Sequence, residues 1–368
     1  MKVSPQQRKI LRNWFGTSRY VYNKTINTIK EGEKINFYEL RNKLVTYTGN
    51  ENTINDWEIL TPKEIRAQAV NDCVKAYKTC FSQLKKGLIN NFNVSYKSKH
   101  KKSDSVFIPK QSLKIKENSI IFYPGIDKEL KTGFKVGKKT KKLLRNLEIN
   151  HDCRLSWDGD YYWLCIPVKA EKRENHSQSI CALDPGVRTF MTTYDPEGKS
   201  IEIKKSDSME TYYQKIKLMQ SSGKKQKQIN KYFRKIKNQV DQLHWDTIKY
   251  LLNNYQVILL PHFESQEMLK SKKLHKNTKR TMNSLSHYTF KQRLIYKASL
   301  YKDKKILLVD EAYTSKTCGW CGNLNDKLGS NKVFKCPTCG IKLDRDFNGA
   351  RNILIKNWAS FQARKNLD

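Results

Sequence analysis

Apolar residues in the first ~95 positions recur at three- and four-residue intervals, the period of a helix with one buried face. In "QQRKILRNWFGTSRYVYNKTINTIKEG" the positions Ile10, Leu11, Trp14, Phe15, Val21, Tyr22 and Ile26 follow that spacing, with Gly16 expected to break it. In "TPKEIRAQAVNDCVKAYKTCFSQLKKG" a second helix is expected, with Thr61 as N-cap, Pro62 at the first helical position and Gly87 as the stop. Both segments mix Lys, Arg and aromatic side chains. That mixture suits phosphates and stacked bases, and equally an amphipathic helix that packs its aromatics inward.

The period then changes. Residues 96–172 carry short β-like runs, "SLKIKENSIIFYP" and "LEINHDCRLSWDGDYYWLCIPVKA", with Asp158-Gly159 as a hairpin turn and "KTGFKVGKKTKK" as a basic connection. A small antiparallel sheet or barrel is expected. The polar "EKRENHSQ" at 171–178 reads as a linker. From Ser179 the pattern is α/β: "SICALDPGVRTFMTTYD" is strand, Pro-Gly turn, strand, and a basic helical tract runs from Met209 to Asn254, interrupted near Ser221–Gly223. "YQVILLPHFE" is a buried strand, "SLSHYTFKQRLIYKASLY" a helix and "KKILLVDEAY" another buried strand. A hairpin followed by strands alternating with helices predicts a mixed sheet with helices packed on it. The fold class is α+β, multidomain.

Charge changes the picture more than composition does. The 368 residues hold 71 Lys+Arg against 35 Asp+Glu, a formal +36, which repels itself unless a polyanion neutralises it. Nucleic acid is the expected partner. No apolar run reaches membrane-spanning length and no apolar signal region follows "MKVSPQQRK", so no membrane association or secretion is expected. Five of nine cysteines (Cys73, Cys80, Cys153, Cys165, Cys181) are scattered, which suits buried thiols in a reducing compartment rather than a disulfide framework.

The other four are paired. Cys318 and Cys321, then Cys336 and Cys339, form CxxC, a spacer of fourteen residues, and CxxC. Each pair lets two thiolates face one ion from a tight turn, and four thiolates close a tetrahedron with no open position. One structural zinc is expected.

Three carboxylates stand where an apolar or turn residue would be the ordinary choice. Asp184 follows "ICAL" before the Pro-Gly turn, Glu264 follows "VILLPHF", and Asp346 opens the helical "DFNGARNIL". Such acids lose hydration unless a cation offsets it. Two divalent ions ~4 Å apart would do so and would clamp the attacking and leaving oxygens of a phosphodiester. Taken singly, each acid reads better as a cap or a surface group than as a metal ligand, and Asp344 or Asp346 could simply cap the following helix.

"LDPGVRTF", "LLPHFES" and "TSKTCGWCG…FKCPTCGIKLDRDFNGARNIL", in that order, resemble the split RuvC-type nuclease domain of the TnpB family of transposon-encoded proteins, relatives of type V CRISPR effectors and of the Fanzor proteins. "WFGTSRYVYNKTI" and the second helix resemble the family's helical recognition region, so the likeness covers most of the chain. "PHFES" with "FNGARNI" leans toward the Fanzor-like branch. The resemblance implies an RNA-guided DNA endonuclease with a helical recognition domain (1–95), a small antiparallel WED-like β domain (96–175) and an RNase H-like nuclease domain (176–368) with a zinc ribbon inserted at 313–343. It implies Asp184, Glu264 and Asp346 as catalytic ligands of two Mg²⁺ or Mn²⁺, with Asp344 a cap or a group behind them. Its partners would be a guide RNA derived from the transposon end and target DNA, in a monomeric ribonucleoprotein, with a dimer left open. Location would be cytoplasmic and nucleoid-associated in a bacterium, nuclear in the Fanzor branch.

Relatives begin with a strand before the first helix, whereas this chain starts almost inside that helix, so the β domain is expected to be one strand short. "KSKKLHKNTKR" at 270–280 is either a phosphate-gripping lid or a solvated loop. Asp310 and Glu311 rank behind Asp346 as metal ligands, Arg345 is expected to orient Asp346 or touch phosphate, and His262 and His287 read as structural. Two rival functions stand beside the nuclease: a non-catalytic nucleic-acid-binding accessory protein and a DNA-joining transposase.

Overall fold

The structure is a computed structural model that describes every residue except 51–52, 101–102, 117–118, 126–132, 146, 175–176, 178, 224–225, 264, 271–273, 330 and 366–368. The chain forms two compact units, Met1–Lys169 and Ala170–Asp368.

The first unit opens with α1 (Pro5–Lys30). Ser4 and Gln7 form a capping box and Pro5 sits at the first position, so the helix start is written in four residues. Gly16 does not interrupt α1. Glycine costs about 1 kcal/mol against alanine in a helix, and the burial of Trp14, Phe15, Thr17 and Ser18 on either side offsets it. The helix α2 (Phe37–Val45) and the single turn α3 (Asp56–Ile59) precede α4 (Lys63–Lys85). Pro62, not Thr61, is its N-cap and Lys63 its first residue, and the Thr61 hydroxyl donates to Thr17 Oγ1 instead. Gly87, at φ +66°, does end the helix. Val21, Tyr22 and Ile26 of α1 pack with Ala69, Val70, Cys73 and Val74 of α4. The amino-terminal turns of α1 belong elsewhere: Leu11, Trp14 and Phe15, with Ile65, pack into the β region against Val106, Ile108, Phe122, Phe134 and Leu155.

That β region is two three-stranded antiparallel sheets. One orders β1 (Asp104–Ile108), β5 (Cys153–Trp157) and β6 (Tyr162–Cys165), with the Asp158-Gly159 hairpin joining the last two. The other orders β2 (Leu113–Lys116), β3 (Ser119–Phe122) and β4 (Phe134–Lys135). The described part of the basic connection is therefore structured, holding β4 and the first turns of α5 (Lys138–Leu144).

In the second unit five strands line up as β11 (Lys305–Val309), β10 (Val257–Pro261), β7 (Ile180–Pro185), β8 (Thr189–Tyr194) and β9 (Ser200–Lys204). β7, β8 and β9 form an antiparallel meander, while β10 and β11 run parallel to β7. This order, with β8 reversed, is the RNase H-like arrangement. The central strands are apolar on both faces because helices cover both. Cys181, Leu183, Ile258 and Leu260 face α6 (Ser208–Ser221), α7 (Gln226–Asn254), α9 (Lys276–Leu285) and α10 (His287–Ala298). Ile180, Ala182, Val257 and Leu259 face Ile353 and Leu354 of α11 (Arg345–Lys365). The short α8 (Ser265–Lys270) lies between β10 and α9. The strand β11 lies at the sheet edge and is only partly buried, unlike the buried strand its composition suggests. The strand β9 was not anticipated, although "SIEIK" alternates with period two. Among the described residues, no helix is long and apolar enough to cross a membrane.

Candidate metal centres

Side chains alternate along a strand, so Asp184 shares its face with Ile180 and Ala182, the face covered by α11. The fit is close: a Cβ on Gly349 would lie 2.4 Å from Asp184 Oδ2. Asp346 is one turn before Gly349 on the same helix. Asp344, the last residue of β13 (Lys342–Asp344), caps that helix, its Oδ1 accepting from Asp346 N (2.9 Å) and Phe347 N (3.2 Å). The cap frees the Asp346 carboxylate from helix duty. The side chain of Thr189, at the start of β8, lies close enough to Asp346 to favour its charged form.

Burial, then the neighbouring Asp346 and Glu311, hold the Asp184 carboxyl well above the ordinary carboxylate range; Arg345 opposes this. Burial and Asp344 likewise raise Asp346, against Arg345, Lys332 and Thr189. Two acids that resist ionising side by side are suited to a divalent cation, whose charge would reverse the balance. Glu264 lies outside the described residues; the strand before it, β10, is hydrogen-bonded to the strand that carries Asp184.

The structure adds an acid that the sequence reading missed. Glu202 of β9 stands opposite Thr192, which stands opposite Asp184, and carboxylate oxygens of Glu202, Asp344 and Asp346 lie within 4.8 Å of one another. Lys332 sits among them, 3.7 Å from Glu202 and 3.5 Å from Asp344. Recognising the alternation of "SIEIK" was the signal that would have found Glu202. Asp310 pairs with Lys356 at 2.6 Å, away from this group. Arg345 Nη1 donates to Gly329 O. In the 270–280 run, residues 271–273 lie outside the described residues, while 276–280 begin α9.

The four ribbon thiols converge. Cys318 and Cys339 Sγ are 3.7 Å apart, Cys321 and Cys336 Sγ 3.5 Å, and all four lie within 4.8 Å. Thiolates at zinc bond lengths in a tetrahedron are about 3.8 Å apart, so the donor set fits a zinc ion. Gly322 and Gly340, each directly after the second cysteine of a pair, adopt φ of +76° and +72°. That left-handed conformation lets each turn close, and glycine adopts it without strain. The antiparallel pair β12 (Val333–Lys335) and β13 completes the ribbon around Phe334.

Two asparagines, also missed from sequence, join ribbon to helix. Asn348 is 0% exposed; its Oδ1 accepts from Gly319 N (2.9 Å) and its Nδ2 donates to Thr317 O (2.7 Å). Asn352, one turn on, donates to Thr314 O and Thr317 O. The first cysteine knuckle is thereby fastened to the helix that bears Asp346.

The family model described as Cas12f1-like, TNB domain matches residues 287–353, and one described as a helix-turn-helix domain matches 2–34, which here is mostly the single helix α1. The chain is 30% identical over 390 residues to a putative transposase of Paramecium bursaria Chlorella virus 1, covering 99% of this chain and 87% of that one. It is 29% identical over 389 residues to a TnpB-like protein of Acanthamoeba polyphaga mimivirus, covering 96% and 72%. It is 24% identical over 394 residues to the putative RNA-guided DNA endonuclease InsQ of Escherichia coli, covering 98% and 91%.

Proposed function

This chain belongs to the TnpB-like family, and on that premise we propose that it is an RNA-guided DNA endonuclease of a transposable element. One observation carries the reading. On the central strand of an RNase H-like sheet and the helix packed on it, Asp184 and Asp346 both have raised carboxyls, burial being the first cause of each and Asp346 a further cause at Asp184. The relative named as a putative RNA-guided DNA endonuclease, similar over 98% of this chain, supports the same reading.

Asp184, Glu264 and Asp346 would hold two Mg²⁺ or Mn²⁺ ions. Such a pair, when bound, supplies charge for the attacking and leaving oxygens of a DNA phosphodiester. Asp344 holds the helix start, Thr189 favours the charged form of Asp346, and Arg345 moderates the repulsion between the acids. Cys318, Cys321, Cys336 and Cys339 would hold one structural zinc. The +36 charge would grip guide RNA and target backbone, while base pairing selects the strand in a monomeric ribonucleoprotein.

The test is cleavage of a matched DNA by the purified protein with its copurifying RNA. Mg²⁺-dependent cuts that Asp184→Ala abolishes are expected. Equal inertness of wild type and variant on every matched target would sink the reading. A relative named as a putative transposase makes DNA joining the second reading, and strand-transfer products in place of simple cuts would favour it.

A further inference from the structure

We propose that His287 is a positioning residue of the nuclease site, fixing the turn that runs from Asp184 to Thr189; this rests on the nuclease reading above. His287 opens α10 directly after Ser286, which holds φ +48°, and is 6% exposed. Its Nε2 lies 3.0 Å from Gly186 O. A carbonyl only accepts, so Nε2 carries the proton and Nδ1 is the bare nitrogen. Nδ1 is buried with no hydrogen-bond partner among the described residues. The ring lies nearly parallel to Phe190 (5.0 Å, 14°), and Phe190 lies nearly parallel to His244 (5.3 Å, 22°).

A phenylalanine or leucine at 287 would fill this space without leaving a buried nitrogen unpaired. What only the histidine supplies is the proton on Nε2. That proton reaches the turn that follows Asp184 and leads to Thr189. Asp184 lies two residues before Gly186, and Thr189, whose side chain favours the charged form of Asp346, lies three after it. The turn is tight: Gly186 N donates to Phe190 O, and a Cβ on Gly186 would lie 2.7 Å from Thr189 O. With no side chain at 186, the carbonyl is the handle by which the core can hold the turn. Ligands of a metal pair must be placed to a fraction of an ångström, and that placement depends on neighbours with locked rotamers.

The experiment compares wild type with His287→Phe, which keeps the ring and loses the donor, and His287→Gln, which restores an amide nitrogen at the reach of Nε2. Target binding is measured in Ca²⁺, single-turnover cleavage across a Mg²⁺ titration, and Mn²⁺ binding by electron paramagnetic resonance without turnover. For His287→Phe we expect wild-type target binding, with a cleavage rate or metal affinity lowered about tenfold or more. His287→Gln should recover to within about threefold of wild type on the same scale. Should His287→Phe fail to fold, His287→Asn replaces it, because its amide ends at the Nδ1 position and cannot reach Gly186. Wild-type Mg²⁺ dependence and Mn²⁺ binding in the donor-less variant would overturn the proposal, as would Gln and Phe variants equally impaired. Absence of cleavage by wild type would instead count against the nuclease reading, and the Mn²⁺ comparison would still decide the role of His287.

Discussion

Gly349 stands so close to Asp184 that a Cβ added to it would lie 2.4 Å from Asp184 Oδ2, with Cγ at 3.2 Å. The atom in the way is the end of a side chain, which can rotate, so the size of the added group decides the outcome. Gly349→Ala should fold as well as wild type or gain up to about 1 kcal/mol from helix propensity, with cleavage reduced only severalfold. Gly349→Val should displace the carboxylate altogether and lower cleavage by roughly a hundredfold or more. Cleavage rates and melting curves of the two variants side by side check this; an active valine variant would show that the contact does not constrain Asp184.

Asp184→Asn should trade activity for stability. The anion is disfavoured first by burial and then by Asp346 and Glu311, so a neutral amide removes an unfavourable charge. The divalent-free variant should melt higher than wild type, by roughly 2–4 °C for each kcal/mol relieved. Mg²⁺ should raise the melting point of wild type and leave the variant nearly unmoved, because a ligand stabilises only what it binds. Scanning calorimetry with and without Mg²⁺ reads both effects, and an equal Mg²⁺ response would contradict the assignment.

The asparagine pair predicts a link between ribbon and helix. Asn348→Ala leaves the part-buried Gly319 N–H without its acceptor, and Asn352→Ala leaves Thr314 O without its donor. Each should cost about 1–3 kcal/mol. Both should also speed the loss of zinc to a colorimetric chelator, since the knuckle bearing Cys318 and Cys321 is held from behind by these bonds. Zinc release at the wild-type rate would mean that the ribbon stands on its own.

Acid should weaken the second unit through two histidines. Burial lowers both His244 and His287 to about 4; at His244 Arg293 adds to this, while Asp241 and the bond to Leu285 O oppose it. A histidine whose folded pKa lies below its unfolded value of about 6.5 contributes stability that is complete above that value. The contribution falls as pH drops from 6.5 toward 4, because the unfolded chain then binds the proton more readily. By pH 5 the loss is about 2 kcal/mol per histidine. Asp184 and Asp346, with raised carboxyls, act in the opposite sense and gain from acid. Urea unfolding of wild type and His287→Phe at pH 7 and pH 5 separates the terms: the variant should lose less on acidification, and identical losses would exclude His287 as a source.

Much of this protein is legible without coordinates because its signals are local. Ser4 and Gln7 start α1, Gly87 ends α4, and the CxxC pairs with glycine after each second cysteine bring thiols together through turns of a few residues. The unbroken apolar run Ile180, Cys181, Ala182 and Leu183 marks a strand buried on both faces, so that the acid after it stands out. Tertiary structure decided what lies between elements distant in the chain. Gly349 reaches Asp184 across 165 positions, Glu202 enters the acid row through a strand register, Asn348 finds the backbone of Gly319, and His287 finds the carbonyl of Gly186. Periodicity says that an element has a buried face. Which face meets which is settled only when strand order, register and helix packing are settled together, and many pairings share the same pattern.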